Sequence, residues 1–369
     1  MADSGDLGAD AARAVRAHAV MQARFHCPDG VYRRDGLLGR LGSAAHLWPF
    51  IRAFVATLDL AGVPPELTPE FDADAEVAGR LEALARYWDP AARSPGYASD
   101  VIGSRRGGDR YYDDNAWVGL ALIQLERLRP GSGYLRRAEE LFGFAVSGWD
   151  DRPDVPQPGG VFWVEQGVGV GLSNHDRNTV STGPNAQLGL HLAQLMGRPP
   201  AAGALIGARE MYEWVGTALD EGAAAGAPGG GLFWDKWRGD GTLDRTRWSY
   251  NQGSMIGANV LLGRGATGGE RAVYIGRAEA IARRALSYYA GDRLAAQPPA
   301  FNAIFFRNLL LLWDATGDDA LRSEILAAMR GYADHPELSS RATTLLDLGG
   351  VAQILALLAW DPADYGRIA

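Results

Sequence analysis

The feature that most constrains the fold of this chain is a helical repeat of apolar residues that recurs along almost its whole length. In one segment Val77, Leu81 and Leu84 follow an i, i+4, i+7 spacing, which lines up one apolar face of a helix. The same criterion predicts about twelve helices. They are expected near residues 9–24, 43–60, 70–88, 114–128, 133–149, 178–196, 200–219, 251–263, 271–290, 301–315, 318–332 and 342–358.

The predicted helices alternate between two kinds. One kind has a charged face, near residues 70–88, 133–149, 200–219 and 271–290. The other kind is apolar on almost all sides, near residues 114–128, 178–196, 251–263, 301–315 and 342–358. Because a helix without a polar face must be buried, the second kind should lie inside the first. Twelve helices that alternate in this way form six helical hairpins. They predict an all-α (α/α)6 toroid, in one domain over residues 1–369.

Charge and composition exclude several classes of partner. The 36 Lys and Arg residues against 44 Asp and Glu give a net charge of −8, which leaves no basic excess for nucleic acid. The single cysteine, Cys27, excludes an intrachain disulfide and a multi-cysteine zinc site. No apolar run approaches the ~20 residues that span a bilayer. The first residues lack a signal peptide, so we expect a cytoplasmic protein, although a trimmed secretory signal would leave the same sequence. The oligomeric state stays open.

Three links between helices combine glycine with aromatic residues. They are Ser94–Tyr97, Gly159–Trp163 and Gly229–Trp234, each between an outer helix and the next inner one. At one end of a barrel they would form an aromatic rim around a depression, which suits the C–H faces of a sugar ring. The tryptophans expected to stack on sugar are Trp163, Trp234 and Trp237, whereas those expected in the core are Trp48, Trp149 and Trp313.

The strongest local signal is a segment that reads Tyr-Tyr-Asp-Asp-Asn-Ala-Trp over residues 111–117, at the entry to an inner helix. Asp113 and Asp114 are costly to desolvate together, so one should stay ionised while the pKa of the other is raised. A retaining glycosidase needs such a pair, as nucleophile and as proton donor to the leaving oxygen. The alternative is that one of them is only a helix N-cap. The aromatic neighbours favour a site.

A second segment reads Trp-Ser-Tyr-Asn-Gln-Gly over residues 248–253, before another inner helix. Asn251 and Gln252 offer donors and acceptors for sugar hydroxyls, although Ser249 or Asn251 could equally be an N-cap. Asp235 follows Trp234 and could also bind a hydroxyl.

Other residues give weaker signals. His175 lies beside Asp176, but no nucleophile motif such as G-x-S-x-G accompanies the pair. No metal or phosphate motif is present, so no cofactor is expected. The other histidines are expected to be structural: His18, His26, His46, His191 and His335.

Taken together, the Tyr-Tyr-Asp-Asp-Asn-Ala-Trp segment, the Gly-Gly link of residues 159–163, Asn178 and the Tyr-Asn-Gln-Gly of residues 250–253 resemble glycoside hydrolase family 76. Those are endo-α-1,6-mannanases, and the resemblance runs from roughly residue 72 to residue 313. It implies an (α/α)6 barrel and a retaining mechanism. It also implies that Asp113 matches the nucleophile and Asp114 the acid/base.

The sequence therefore favours hydrolysis of α-1,6-mannosidic bonds by Asp113 and Asp114. The residues expected to bind the carbohydrate are Tyr111, Tyr112, Trp117, Trp163, Asn178, Trp234, Asp235, Tyr250, Asn251 and Gln252. Two alternatives remain, because fold does not determine function. One is a sugar epimerase or isomerase with His175 as the base, and the other is a non-catalytic glycan-binding protein.

Overall fold

The computed structural model describes residues 4–91, 93–103, 107–198, 207–226, 231–336, 338 and 342–369. Within them, twelve long helices account for most of the structure. They are α1 (Ser4–Phe25), α2 (Leu47–Ala61), α3 (Ala73–Ala85), α4 (Tyr112–Leu128), α5 (Leu135–Ser147), α6 (Thr179–Met196), α7 (Ala208–Ala218), α8 (Ser249–Gly265), α9 (Gly268–Tyr288), α10 (Pro299–Thr316), α11 (Asp319–Ala333) and α12 (Leu345–Leu358). The predicted helices are confirmed, except that the part predicted over 200–206 lies outside the described residues.

Short strands occur only in the links of the described chain. Trp88–Asp89 (β1) pairs antiparallel with Gly96–Tyr97 (β2). A second sheet, in the order β3-β4-β5, joins Arg177–Asn178 (β3), Lys236–Trp237 (β4) and Leu243–Asp244 (β5). This second sheet ties the link before α6 to the link before α8.

Six helices form a closed inner ring. Each of α2, α4, α6, α8, α10 and α12 packs against the next, and α12 packs back against α2. Burial explains the arrangement, since α8 is buried at every position from Ser249 to Gly263. The outer helix α9 buries only one stripe, which consists of Tyr274, Ala278, Ile281, Ala282 and Ala285. The predicted (α/α)6 toroid is thus confirmed.

The centre of the barrel is polar, although the inner helices are mostly apolar. Arg307 donates to Asp59 at 2.9 Å, and Gln124 donates to the same carboxylate oxygen at 2.7 Å. All three side chains are buried. Charges buried in this way need partners, and this network joins α2, α4 and α10 inside the ring. Among the described residues, no helix has both the length and the apolar character needed to cross a membrane.

Candidate active site

A cavity of about 610 Å³ opens at the end of the barrel where the inner helices begin. The first turns of α2, α4, α6, α8 and α10 line it, together with the links that precede them. Eight of the predicted site residues meet there. They are Tyr111, Asp113, Asp114, Trp117, Trp163, Asn178, Asp235 and Tyr250.

At four of the helix ends around the cavity the N-cap residue makes no side-chain capping bond. This holds for His46, Tyr111, Trp248 and Pro298, which precede α2, α4, α8 and α10. The N-cap alternatives considered for Asp113, Asp114, Ser249 and Asn251 are therefore wrong. Since uncapped N-termini carry partial positive charge, they favour negative charge in the cavity.

The Asp113 carboxylate receives two hydrogen bonds. The indole N–H of Trp163 donates to Oδ2 at 3.2 Å, and the backbone N–H of Asp114 donates to Oδ1 at 3.0 Å. Burial raises the pKa of Asp113 to about 7, and these two donors oppose that rise. Both donors favour the ionised form, because a carboxylate accepts hydrogen bonds better than a carboxylic acid does.

Asp114 has a different environment, although it is the next residue. Its side chain is buried, with 8 % exposed. Burial raises the pKa of Asp114 well above its ordinary value, and the neighbouring charge of Asp113 raises it further. No hydrogen-bond donor in the described part of the chain opposes the rise. When the pair holds one proton, that proton therefore resides on Asp114.

An aromatic wall stands beside the pair. The ring of Tyr111 lies 4.8 Å from the ring of Trp163, and Trp163 also holds Asp113. On the opposite side Tyr250 packs edge-on against Phe301 at 4.1 Å. These rings offer apolar faces next to carboxylates, which is the combination that a sugar ring requires.

A third carboxylate, Asp235, also lines the cavity. Burial raises its pKa to about 6, whereas the charge of Lys236 lowers it. Lys236 is fixed by an ion pair with Asp176 at 2.8 Å, across the β3–β4 pairing. The charge of Asp235 also contributes to the raised pKa of Asp113.

Each of the three aromatic links is held by a polar side chain from the helix that follows it. Asn115 accepts from the N–H of Tyr97 at 2.7 Å and donates to its carbonyl at 2.9 Å. Gln252 makes the equivalent pair of bonds with Phe233, at 2.8 and 3.0 Å. In the middle link, the Thr182 hydroxyl accepts from the N–H of Val161 and the Ser181 hydroxyl donates to the carbonyl of Val161. These amide and hydroxyl groups set the position of the cavity wall.

The middle link needs its two glycines. Gly159 and Gly160 have φ values of +104° and +86°, which residues with a Cβ rarely adopt. An added Cβ on Gly160 would also lie 2.6 Å from the indole of Trp214. The close approach places Trp163 at the cavity. Gly229 and Gly230 of the third link lie outside the described residues.

Four predicted binding residues do not line the cavity. Tyr112 stacks on Phe144 at 4.4 Å between α4 and α5, so its role is packing. Both amide atoms of Gln252 are engaged in hydrogen bonds to the backbone of Phe233 in the third link. Trp234 and Asn251 are buried behind the lining, where a hydrogen bond from Asn251 to Asp235 opposes the rise in the pKa of that carboxyl group. Residue type alone did not distinguish these residues from their neighbours that face the cavity.

Trp237 also lies outside the cavity lining. Its indole N–H donates to the carbonyl of Ala218 at 3.0 Å, so the expectation that it stacks on sugar is corrected. Trp149 and Trp313 pack against the core as predicted.

Other lining residues were missed by the sequence reasoning. Trp48 was expected in the core and His46 was expected to be structural, yet both line the cavity. His46 lies 3.1 Å from Asp100, which is also in the lining. Since α2 begins at Leu47, the position at the start of an inner helix was the signal that could have found them.

His175, the base considered for an isomerase, is not part of the cavity lining. Its ring packs edge-on against Phe162 at 6.1 Å. Arg177, two residues later, is a buried structural residue that donates to the carbonyls of Pro156, Gln157 and Gly159. In the described residues no cluster of His, Cys, Asp and Glu is arranged to hold a metal ion.

Comparison with known proteins places this geometry in context. The sequence profile of glycosyl hydrolase family 76 matches residues 91–313. No curated protein sequence matches the chain. A family 76 α-mannanase from Bacteroides thetaiotaomicron is similar in structure, with a TM-score of 0.76 at 16 % identity over 94 % of each chain.

Two further solved structures are informative. One is an inactive α-1,6-mannanase of Salegentibacter, with two aspartates replaced by asparagine and in complex with α-1,6-mannotriose. It has a TM-score of 0.66 at 18 % identity, over 97 % of this chain and 100 % of that chain. The other is a D-mannose isomerase, with a TM-score of 0.58 at 13 % identity over 88 % of this chain and 87 % of that chain. At these identities the likenesses show the fold.

The family profile covers more than half of the chain and includes the cavity residues of α4, α6 and α8. The closed helical ring is the fold of the family's solved members. This chain therefore belongs to glycosyl hydrolase family 76 and is a glycoside hydrolase.

Proposed function

We propose that this glycoside hydrolase cleaves α-1,6-mannosidic bonds with retention of the anomeric configuration. The observation that supports the proposal most is the pair Asp113 and Asp114, which lines one cavity in two unequal environments. The similar fold of an α-1,6-mannanase supports the choice of linkage.

In the first step Asp114 donates its proton to the glycosidic oxygen. The Asp113 carboxylate attacks the anomeric carbon, the bond from that carbon to the oxygen breaks, and a glycosyl ester forms on Asp113. Asp114, now ionised, then removes a proton from a water molecule. That water attacks the same carbon from the face that the leaving group vacated, which releases Asp113 and regenerates the acid on Asp114.

The assignment of the two roles follows from the hydrogen bonds. Asp113 accepts from Trp163 and from a backbone N–H, which favours the charge a nucleophile needs. Asp114 is buried without such donors, which favours the proton an acid needs. The helix N-termini around the cavity stabilise the single negative charge that the pair keeps.

Substrate contacts are proposed for the residues that line the cavity. Trp163 and Tyr250 would stack on sugar rings, while Asn178 and Asp235 would hold hydroxyls. Asn178 is held at the start of α6 by a capping box with Ser181 and lines the cavity, where its amide N–H could donate to a hydroxyl.

The test is hydrolysis of α-1,6-mannotriose by the wild type and by Asp113→Asn and Asp114→Asn. We expect each substitution to lower kcat by at least about a thousandfold, because each removes one of two indispensable groups. The control is Asp319→Asn, an exposed carboxylate at the start of α11 and outside the cavity lining, which should keep the activity. Full activity of either Asp113→Asn or Asp114→Asn would contradict the mechanism.

The two alternatives are separated by the same assay. A sugar isomerase would convert free mannose without consuming a glycoside, and its candidate base His175 lies outside the cavity lining. A glycan-binding protein would bind mannotriose without turnover. Both carboxyl groups at the cavity favour catalysis over binding alone.

A further inference from the structure

Exposed apolar side chains are concentrated around the mouth of the cavity. Among the described residues ten large apolar side chains are exposed, and seven of them lie in segments that precede α2, α4 and α6. The seven are Leu37, Leu38, Leu41, Ile102, Val168, Val170 and Leu172. We call the segments 36–41, 99–103 and 166–172 the apolar mouth loops. The three loops precede helices that are consecutive in the inner ring, α2, α4 and α6.

Two contacts connect the mouth loops to the cavity itself. Arg34, just before the first loop, pairs with Asp100, which lines the cavity. The N–H of Val170 in the third loop donates at 3.0 Å to Asp109, another lining residue. The first and third loops are thus attached to opposite ends of the segment that carries Asp100 and Asp109.

The side chains of the mouth loops are too exposed to have a role in core packing. Leu37 is 70 % exposed, Leu41 72 % and Leu172 69 %, so they contribute almost nothing to the core. Each exposed leucine leaves apolar surface in water, and burial of that surface against another body would be favourable in free energy. Grouped apolar residues of this kind mark a surface that contacts another body.

Basic side chains accompany the leucines. Arg33 and Arg40 are exposed and have no ion pair in the described part of the chain. Of the acidic residues nearby, Asp29 pairs with Arg86, whereas Asp35 accepts only from the backbone N–H of Leu345 and keeps its charge. Two arginines without an ion pair against this one carboxylate leave this side of the mouth with net positive charge, although the chain has a net charge of −8.

We propose that the apolar mouth loops insert into the head-group region of a lipid bilayer, so that the cavity acts on glycan chains held at a membrane surface. The substrate part of this inference rests on the proposed function. Separate aliphatic tips with basic neighbours fit a bilayer with anionic lipids. Protein interfaces instead favour aromatic anchors in concave pockets, and the exposed side chains of these loops are aliphatic.

The first test is cosedimentation of the full chain with vesicles of equimolar phosphatidylcholine and phosphatidylglycerol. We expect the wild type to bind and the double variant Leu37→Ser/Leu41→Ser to partition at least about tenfold more weakly. Leu172→Ser provides a second variant on another loop. The matched control is Leu195→Ser, because this exposed leucine lies at the far end of α6 and should leave binding unchanged.

The charge contribution is tested with Arg33→Gln/Arg40→Gln. This double variant should lose affinity for the anionic vesicles and show no change with vesicles of phosphatidylcholine alone. Circular dichroism and thermal unfolding establish that the exposed substitutions leave the fold intact.

Several results would overturn the inference. They are a wild type that does not bind vesicles, an equal loss in Leu195→Ser, or a dimer in light scattering that the Leu37→Ser/Leu41→Ser variant dissociates. The last result would identify a second copy as the partner.

Failure of this inference is distinct from failure of the proposed function. The mouth-loop variants should hydrolyse soluble α-1,6-mannotriose like the wild type, but act more slowly on a mannotriose coupled to a lipid in vesicles. Asp113→Asn should bind vesicles normally. Hydrolysis without vesicle binding contradicts only the membrane inference, whereas vesicle binding without hydrolysis contradicts only the function.

Discussion

At the scale of single residues, the cavity brings acidic groups together at an energetic cost. Asp113, Asp114 and Asp235 are each drawn from water, and burial raises the pKa of all three. In the unfolded chain their carboxyl groups would be ionised at neutral pH. Folding therefore requires either uptake of protons or burial of charge, so each of these carboxyl groups reduces stability.

Removal of one carboxyl group should stabilise the protein. Asp113→Asn and Asp114→Asn should each raise the free energy of unfolding at pH 7 by about 1–2 kcal/mol. A raised folded pKa means that the folded state binds more protons, so the wild type loses stability as pH rises above the unfolded value of 3.8. The gain of the variants should thus shrink toward pH 4 in chemical denaturation. A destabilised variant at pH 7 would contradict this account.

Trp163 should tune the pKa of Asp113, the proposed nucleophile. Trp163→Phe keeps an aromatic face but removes the donor to Asp113, so the pKa of Asp113 should rise further. Because the nucleophile must be ionised, the acidic limb of kcat/KM should move to higher pH by about half a unit to one unit. The measurement is a pH–rate profile. Trp237→Phe, whose indole binds a backbone carbonyl away from the cavity, is the control and should leave that limb in place.

Residue type predicted much of this site, but it did not predict which way each side chain faces. Asp113 and Asp114 were identified as adjacent carboxylates among aromatic residues at a helix entry, and Trp163 was identified as the aromatic end of a Gly-Gly link. Tyr112 is in the segment of Asp113 and Gln252 is in the segment of Tyr250, yet Tyr112 packs against Phe144 and Gln252 binds the backbone. Which side of a helix entry a residue faces depends on how neighbouring helices pack, and no local pattern encodes it.

At the scale of elements, the inner helices and the links before them work as units. The links carry Trp163 and Asp235, and a side chain at the start of the next helix binds each link. The helices themselves were predictable from their 3.6-residue period. The clamps were not, since Asn115 and Gln252 had no distinctive spacing and their partners are 18 and 19 residues away.

Loss of a clamp should loosen the cavity wall. Gln252→Leu has nearly the same size but leaves the N–H and carbonyl of Phe233 unpaired, which should destabilise the fold by about 1–3 kcal/mol. The link that carries Asp235 should then be less ordered, so KM for mannotriose should rise. Thermal unfolding and steady-state kinetics measure both effects. Asn115→Leu is the matched variant at another link, and wild-type behaviour of both would refute the clamp.

At the scale of the whole molecule, the closed ring makes distant parts of the chain depend on each other. The family profile ends at residue 313, but α12 lies beyond it and packs against α1, α2 and α10. The alternation of helices that are apolar on almost all sides with helices that have a charged face predicted this closure, because six buried helices need a surrounding layer. The polar centre around Asp59 and Arg307 was not predicted, since its partners come from separate helices.

We expect the chain to unfold as a single domain. Deletion of residues 318–369 would remove α11 and α12 and expose the buried faces of α2 and α10. The shortened chain should lose its cooperative thermal transition and its activity, whereas the full chain should show one transition in calorimetry. Two separate transitions of the full chain, or a cooperative shortened chain, would contradict the single-domain account.

The most direct test of the central claim is to trap the glycosyl ester. In Asp114→Ala, a dinitrophenyl α-mannobioside needs no acid to depart, but the second step lacks its base. The account predicts that the ester accumulates and that mass spectrometry of peptic fragments locates the sugar on Asp113. Turnover without an adduct and with inversion of the anomeric carbon, or an adduct on another residue, would contradict it.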